Sequence, residues 1–375
     1  MREPSANRAS SLTFASLASP LSRNQSQSVI DRLQQRTRNL ACQLELLASP
    51  QQEAQRARET FVAASRPEIA FLLKALGEGR ARLLVLEATD MLAAGIPGAQ
   101  IVCVPDRAAP FDAFLNRSGH IMDEMEPGSR VGVLSQRVRA QLQALWPDLR
   151  FEILSGGVDR AMETHLRRSE IDGLVLPASV TEHLGIQGIV AEIFAPEFVL
   201  PGPGQGTLVV LARDDDDTVR ELLAPIHSED SARELAAESA FHRRMLPDQD
   251  LPVGALARVG ADGIAILGGT GAGRHRISVS GTVEEAEAVG DGLAQQLLSH
   301  CDTFVDLLEG DFPEGLPEEP DEDATLLGGL ATEEVDEPFD ENLEDLEELR
   351  GFEDLAGLID DEEAGDDDDP DGYDD

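Results

Sequence analysis

From Thr13 to Cys301 short apolar runs alternate with amphipathic stretches. Leu83-Leu-Val-Leu86, Ile101-Val-Cys-Val104, Val131-Gly-Val-Leu134, Phe151-Glu-Ile-Leu154, Gly173-Leu-Val-Leu-Pro177 and Thr207-Leu-Val-Val-Leu211 are the clearest runs. Apolar runs this short, rich in Val, Ile and Leu, predict buried strands. Apolar residues at three- and four-residue intervals predict helices between them. Val29, Leu33, Leu40, Leu44 and Leu47 mark one over Val29–Leu47; others are expected over Ser135–Trp146 and Val158–Arg168. Strands alternating with helices predict an α/β fold with much parallel pairing.

The pattern changes near Leu222. Ser231-Ala-Arg-Glu234 reads as a capping box, with a helix running to about Met245. In such a box the hydroxyl accepts from a free helix N–H and the glutamate reaches back. Strand-like runs follow at Val253–Val259, Gly263–Leu267 and His275–Val279, and a second box, Thr282-Val-Glu-Glu285, opens a helix to Leu298. This predicts a small α+β unit. Gly268-Gly-Thr-Gly-Ala-Gly273 lacks the Lys-Ser/Thr of a phosphate loop and precedes a strand, so a hairpin turn is expected.

Charge separates the ends from the body. Of 72 acidic residues, 33 fall at 302–375, where Arg350 is the only base. Like charges at that density repel, and few apolar groups oppose chain entropy, so the tail is expected to be solvated and disordered. Its leucine-bearing stretches, Leu343–Leu349 and Phe352–Ile359, leave a second reading open: folding onto a protein partner. The polar residues 1–12 are also expected to be disordered. A net charge of −42 with no basic cluster excludes a nucleic-acid backbone as partner. Cys42, Cys103 and Cys301 show no paired spacing and the seven histidines are scattered, so no disulfide framework or metal site is expected. No apolar run approaches the ~18 residues of a membrane span, and the chain is expected to be a cytoplasmic monomer. Lys74 is its single lysine.

Seven segments, in order, resemble the porphobilinogen deaminase (hydroxymethylbilane synthase) family. They are Ser19–Val29, Pro110-Phe-Asp-Ala-Phe114, Val131–Leu142, Leu145-Trp-Pro-Asp-Leu149 with Gly156-Gly-Val-Asp159, Leu200-Pro-Gly-Pro-Gly-Gln-Gly206, Ala237–Phe241, and Ala240–Ala255. The resemblance covers roughly Thr13 to Cys301. It implies three domains: 13–106 with 200–221, 107–199, and 222–301. The first two are α/β domains like those of periplasmic binding proteins, with a ligand cleft between them. The third is the α+β unit, and Gly202–Gly206 becomes a close-packed crossover back to the first domain.

The family's chemistry joins four porphobilinogens to a dipyrromethane held by a cysteine. By resemblance that cysteine position is Gln249, whose amide offers no sulfur, so no cofactor is expected. Asp90 stands at the position of the family's catalytic aspartate. Its surroundings, Leu86-Glu-Ala-Thr-Asp-Met-Leu92, keep none of the family's neighbouring His, Ser, Lys and Pro, and a helix or turn cap remains the alternative reading. Each pyrrole brings two carboxylates, which guanidiniums pair with bidentately. Of the family's cationic set, Leu17, Thr89, Val138, Ser155 and Ala161 stand where cations would. Arg137 is kept beside Ser135, either as a ligand contact or as a helix-surface arginine. The resemblance thus implies a tetrapyrrole-pathway protein, catalytically impaired (a pseudoenzyme) and taking at most a pyrrole or small carboxylate. An active synthase with a non-covalent primer, and an interaction protein acting through the tail, are the alternatives.

Overall fold

A computed structural model describes residues 11–38, 40–48, 66–154, 157–162, 170–245, 252–271 and 275–300. Residues 1–10, Ser155, Gln249 and the tail 302–375 lie outside them. In chain order the elements are β1 (Ser11–Leu17), α1 (Pro20–Arg36), β2 (Ala41–Leu47), α2 (Arg66–Gly77), β3 (Leu83–Glu87), α3 (Ala88–Ala94), β4 (Ala99–Cys103) and β5 (Asp112–Leu115). There follow β6 (Arg130–Val133), α4 (Gln136–Leu145), β7 (Arg150–Ile153), α5 (Gly157–Met162), β8 (Gly173–Pro177), α6 (Ala178–Leu184), β9 (Val190–Ile193) and β10 (Leu208–Arg213). Last come α7 (Val219–Leu223), α8 (Glu229–Arg244), β11 (Val253–Gly260), β12 (Gly263–Thr270), β13 (His275–Gly281) and α9 (Ala286–His300).

Three sheets organise these elements. The first has the order β2-β1-β3-β10-β4, the second β7-β6-β8-β5-β9, and the third β11-β12-β13. In the first, β1 pairs in parallel with β2 and β3, while the late strand β10 runs antiparallel between β3 and β4. The chain therefore leaves this sheet after β4, builds the second, and returns.

Alternation along each strand builds two cores per large sheet, because successive side chains point to opposite faces. Leu12, Phe14, Leu83, Val85, Leu208 and Val210 pack on one face of the first sheet. Ala15, Leu17, Leu84, Leu86, Val209 and Leu211 pack on the other. Helices cover both faces, which explains why β3 is buried at every residue. In the second sheet Leu115, Leu174 and Leu176 face one core and Phe114, Val131 and Val175 the other. The third sheet packs on α8 and α9 through Phe241, Ile264, Ile266, Leu293 and Leu297.

Two local expectations are corrected. Val29–Leu47 is not one helix. Ser19 caps α1, its hydroxyl accepting from Ser22 N at 3.4 Å, and Pro20 fills the first turn. The helix stops at Arg36, and Ala41–Leu47 becomes β2, in register with β1 from Ser11↔Ala41 to Leu17↔Leu47. Leu40, Leu44 and Leu47 lie at helical intervals, but the exposed ladder of β1 offers their backbone a partner that no local spacing reveals. Ser231 does not open α8 either. Ser228 caps it, three residues earlier, with Glu229 and Asp230 in the first turn where the helix dipole favours acids. The box at Thr282 and Glu285 forms, and leads through a 3₁₀ turn into α9. Gly268–Thr270 belongs to β12, and the turn begins at Gly271.

The outgoing and returning segments between the two large sheets run side by side. Ala108 N donates to Gly206 O at 2.9 Å. Gly206 has φ +77°, and a Cβ there would stand 2.9–3.0 Å from the carbonyls of Ala108 and Ala109 and from Pro110 Cα. At Gly204, φ +80°, a Cβ would stand 3.0–3.2 Å from Ala88 and Thr89. A side chain at Gly206 would meet both the left-handed penalty and a clash with rigid backbone, together at least about 2 kcal/mol. Gly206→Ala is therefore expected to lower the urea midpoint by at least that equivalent, measured by chemical unfolding. Gly292→Ala, where a Cβ meets open space, is expected to leave it unchanged or raise it.

Candidate functional site

The ends of the parallel strands meet at one seam. In α/β sheets, ligands bind outside the carboxyl ends of strands, where helices begin. Here the helix after β1 reaches the helix after β8: Asn24 Nδ2 donates to His183 O at 2.8 Å, and Leu21 enters the second sheet's core beside Ala178 and Val180. Glu87, the last residue of β3, receives a hydrogen bond from Gln25 Nε2 of α1 at 3.4 Å and faces Ser179 of α6.

Asp90 lies in the first turn of α3, 2 % exposed, where unsatisfied N–H groups and the helix dipole favour a carboxylate. It is not the cap residue; that position is Glu87, whose side chain makes no capping bond. Glu87 is itself 4 % exposed. Burial pushes its carboxyl up to about 7, against the opposing pull of Gln25, the Gly206 N–H and Ser179. A predicted strand ending at Leu86 hid this residue; the signal available was an acid at the boundary of a buried run.

Ser135 caps α4, accepting from Val138 N at 3.2 Å. Its hydroxyl is thus engaged by the helix it starts. Arg137, two residues on, is 9 % exposed, so it is not a helix-surface arginine. Its guanidinium grips Asp112 through two bonds, at 2.8 and 3.1 Å. It also donates to Leu200 O at 2.7 Å and to Gln205 Oε1 at 2.9 Å. The arginine is a structural clamp between α4, β5 and the returning segment. Asp90 and Ser135 both sit at helix starts, while Arg137 reaches the returning segment at Leu200 and Gln205.

A second clamp sits beside the first. Arg107, on the outgoing segment, pairs with Glu238 of α8 at 2.7 and 3.0 Å and with Glu234 at 3.4 Å. It also donates twice to Gln205 O, at 3.0 and 2.9 Å. Burial opposes the Arg107 charge, but the two carboxylates outweigh it and raise the pKa. Glu238 is 0 % exposed and accepts further from Gly204 N at 2.6 Å and Ala257 N at 2.8 Å. The sequence reading passed over Arg107, Gln205 and Glu238; Glu238 lies in the quoted Ala237–Phe241 run, an acid inside an apolar helix face. Of the positions where the resemblance places cations, Leu17, Val138 and Ala161 are buried among apolar side chains. Among the described residues no group of His, Cys, Asp and Glu is arranged to hold a metal ion, and no helix is long and apolar enough to cross a membrane.

Residues 12–221 match the family model described as porphobilinogen deaminase, dipyrromethane cofactor binding domain. The chain belongs to the porphobilinogen deaminase family. Porphobilinogen deaminase of Roseiflexus sp. is 35% identical over 228 residues, covering 60% of this chain and 75% of that protein. Porphobilinogen deaminase of Thermus thermophilus is 38% identical over 206 residues, covering 54% of this chain and 68% of that protein. A periplasmic substrate-binding protein of an ABC transporter from Coxiella burnetii aligns at 10% identity with a TM-score of 0.36, covering 61% of this chain and 96% of that one. At that distance nothing about ligands carries over.

The match corrects one expectation. Residues 12–221 correspond to the family's dipyrromethane-binding domain, so the forecast that no cofactor is involved, drawn from Gln249 alone, is overturned. That forecast weighed one attachment atom and ignored the domain that encloses the group. The residues that would meet the cofactor's carboxylates fit it less well. Arg137 is spent on Asp112, and Leu17, Val138 and Ala161 carry no charge.

Removing one partner of a buried ion pair leaves the other charge uncompensated, at about 3–5 kcal/mol. Arg137→Ala is expected to destabilise the protein by that order, measured by urea unfolding, with Arg137→Lys failing to restore the two-pronged contact. Ser135→Ala is expected to cost about 1 kcal/mol, the value of a helix cap. Loss of ligand affinity by Arg137→Ala at unchanged stability would reject the clamp.

Proposed function

We propose that this member of the porphobilinogen deaminase family, a cytoplasmic monomer of tetrapyrrole biosynthesis, is impaired in the polymerisation of porphobilinogen. The observation that carries the reading is the commitment of Arg137 to Asp112, Leu200 and Gln205. A guanidinium holding a buried carboxylate from two sides has little left for a substrate carboxylate. Buried apolar residues stand at three further positions where the resemblance asks for cations. Each charged hydrogen bond contributes about 1.5–3 kcal/mol. Losing even two weakens binding by at least about a hundredfold. A pyrrole or another small carboxylate remains the class of ligand for the seam.

A second reading has one observation in its favour. Asp90 is retained at the seam, buried in the first turn of α3. A carboxylate held there suits stabilisation of a cationic pyrrole. On that reading the chain is an active hydroxymethylbilane synthase whose primer is bound without a thioether. The tail 302–375 gives a separate proposal: its acidic, leucine-bearing stretches engage a basic protein partner, independently of the seam.

Incubation with porphobilinogen, followed by acid treatment and porphyrin fluorescence, separates the first two readings. The expected outcome is no product above an Asp90→Ala control and no complementation of a deaminase-deficient strain. Product that disappears in Asp90→Ala would overturn the impaired reading. Intact-mass spectrometry of the same preparation reports whether dipyrromethane travels with the chain.

A further inference from the structure

We propose that the open edge of the second sheet docks a protein partner, which adds to β9 an extended segment alternating apolar and basic residues. β9 is the last strand in the order β7-β6-β8-β5-β9 and pairs with β5 alone. Its outer backbone groups have no strand partner among the described residues. Such an edge is a template for a further strand. Exposed apolar residues scattered singly carry no meaning, but clustered ones mark interaction sites. Among the described residues five large apolar side chains stand exposed, and four of them, Ile121, Leu145, Ile193 and Phe198, belong to the second domain. Three contacts draw them together. Trp146, next to Leu145, meets the ring of Phe194, next to Ile193, with centroids 5.8 Å apart. Trp146 Nε1 donates to Asp123 Oδ1 at 2.6 Å. Met122 N, following Ile121, donates to Glu192 Oε2 at 3.0 Å. Phe198 lies on the turn after β9, which Arg276 of β13 holds by donating to the carbonyls of Pro196, Glu197 and Phe198 at 2.7, 2.5 and 2.9 Å. Apolar groups displayed on a held frame lose little freedom on binding.

Charge decides what this surface admits. The carboxylates of Asp123, Glu124 and Glu192 are placed on it by hydrogen bonds from Trp146 Nε1, Ile121 N and Met122 N. None of the three is ion-paired with a described lysine or arginine. Arg276 does not answer them, since its Nη donors are spent on backbone carbonyls and Gln141. Acids on a sheet edge guard it against pairing with like edges. A second copy of this chain would bring the same acids to the same strand, on a protein of net charge −42, and is repelled. A basic segment is attracted. Strand geometry sets its pattern. Glu192 and Ile193 are neighbours on β9 and so point to opposite faces. An added strand that alternates basic with apolar side chains matches both faces at once. Main-chain hydrogen bonds then supply affinity and the side chains supply choice.

Trp146 is the only tryptophan of the chain, so its emission reports this surface. The probes are three short peptides: one alternating valine and lysine, one with glutamate in place of lysine, and the lysine peptide with proline at its centre. Each is titrated into the full chain. The valine–lysine peptide is expected to shift the emission saturably, with a Kd at least about tenfold below that of the other two. Ile193 is 55 % exposed, so Ile193→Asn leaves the core untouched. It is expected to weaken the lysine peptide at least about tenfold. Glu192→Gln, which keeps an acceptor for Met122 N, is expected to weaken it and to lessen its salt dependence. Capture of the peptide by the acidic tail would instead leave its affinity unmoved by Ile193→Asn, and that result would overturn the proposal. Equal binding of the proline or glutamate peptide, or an emission unmoved by all three, would do the same. Sedimentation of the same samples checks for a second copy at the edge: a dimer dissolved by Ile193→Asn would also overturn it. None of these readouts involves porphobilinogen, so the outcome is separate from that of the impaired-enzyme reading.

Discussion

Between the two large sheets the chain passes twice, and at that crossing two guanidiniums and three carboxylates are withdrawn from water. Arg107 is held by Glu238 and Glu234, and Arg137 by Asp112. Gln205 joins them: its backbone carbonyl accepts from Arg107, and its side chain accepts from Arg137 and donates to Pro110 O at 2.7 Å. Glu238 extends the network to the third sheet through Ala257 N. Removing Arg107, Arg137 or Asp112 leaves a buried charge without its ionic partner, a loss of several kcal/mol that surface ion pairs never approach. The network thus ties α4 and β5 to the returning segment, and the outgoing segment to α8 and β11. The glycines at 204 and 206 are its corollary, since only residues without a Cβ let the returning segment come this close to Ala88 and Pro110.

Much of the fold was legible because periodicity is a local signal. The six clearest apolar runs became β3, β4, β6, β7, β8 and β10, β8 with unchanged bounds and the others with bounds moved by one or two residues. What failed was whatever depended on partners distant in sequence. Leu44 and Leu47 kept helical spacing with Leu40 yet joined β1 as a strand, because the ladder lies thirty residues upstream. Asp112–Leu115 was quoted as part of a motif, but with Asp112 at its start its apolar stretch is only three residues long. Its antiparallel partners β8 and β9 come far later in the chain.

The site divides in the same way. Asp90 and Ser135 were legible as polar residues at helix starts, and that is where they lie. Arg137 was weighed between ligand and solvent, two options that both assume its charge is available. Its real partner, Asp112, sat in view in a quoted motif twenty-five residues away, but no spacing rule links a helix residue to a strand on another layer. Gln249 taught the opposite lesson. One missing sulfur dominated the cofactor forecast, while the family's cofactor domain is matched by residues 12–221 as a whole.

These placements show how a ligand-binding frame can persist while its charge is redistributed. A cationic cleft is costly to maintain without its anions, because like charges repel and each must be kept hydrated. Here, apolar side chains at 17, 138 and 161 add to the cores behind the seam. The guanidinium at 137 gains a protein carboxylate instead of a ligand's. Glu87, standing where the family pattern has serine, adds an acid that burial favours in its neutral form. Arg107 and Arg137 tie the outgoing segment and α4 to the returning segment.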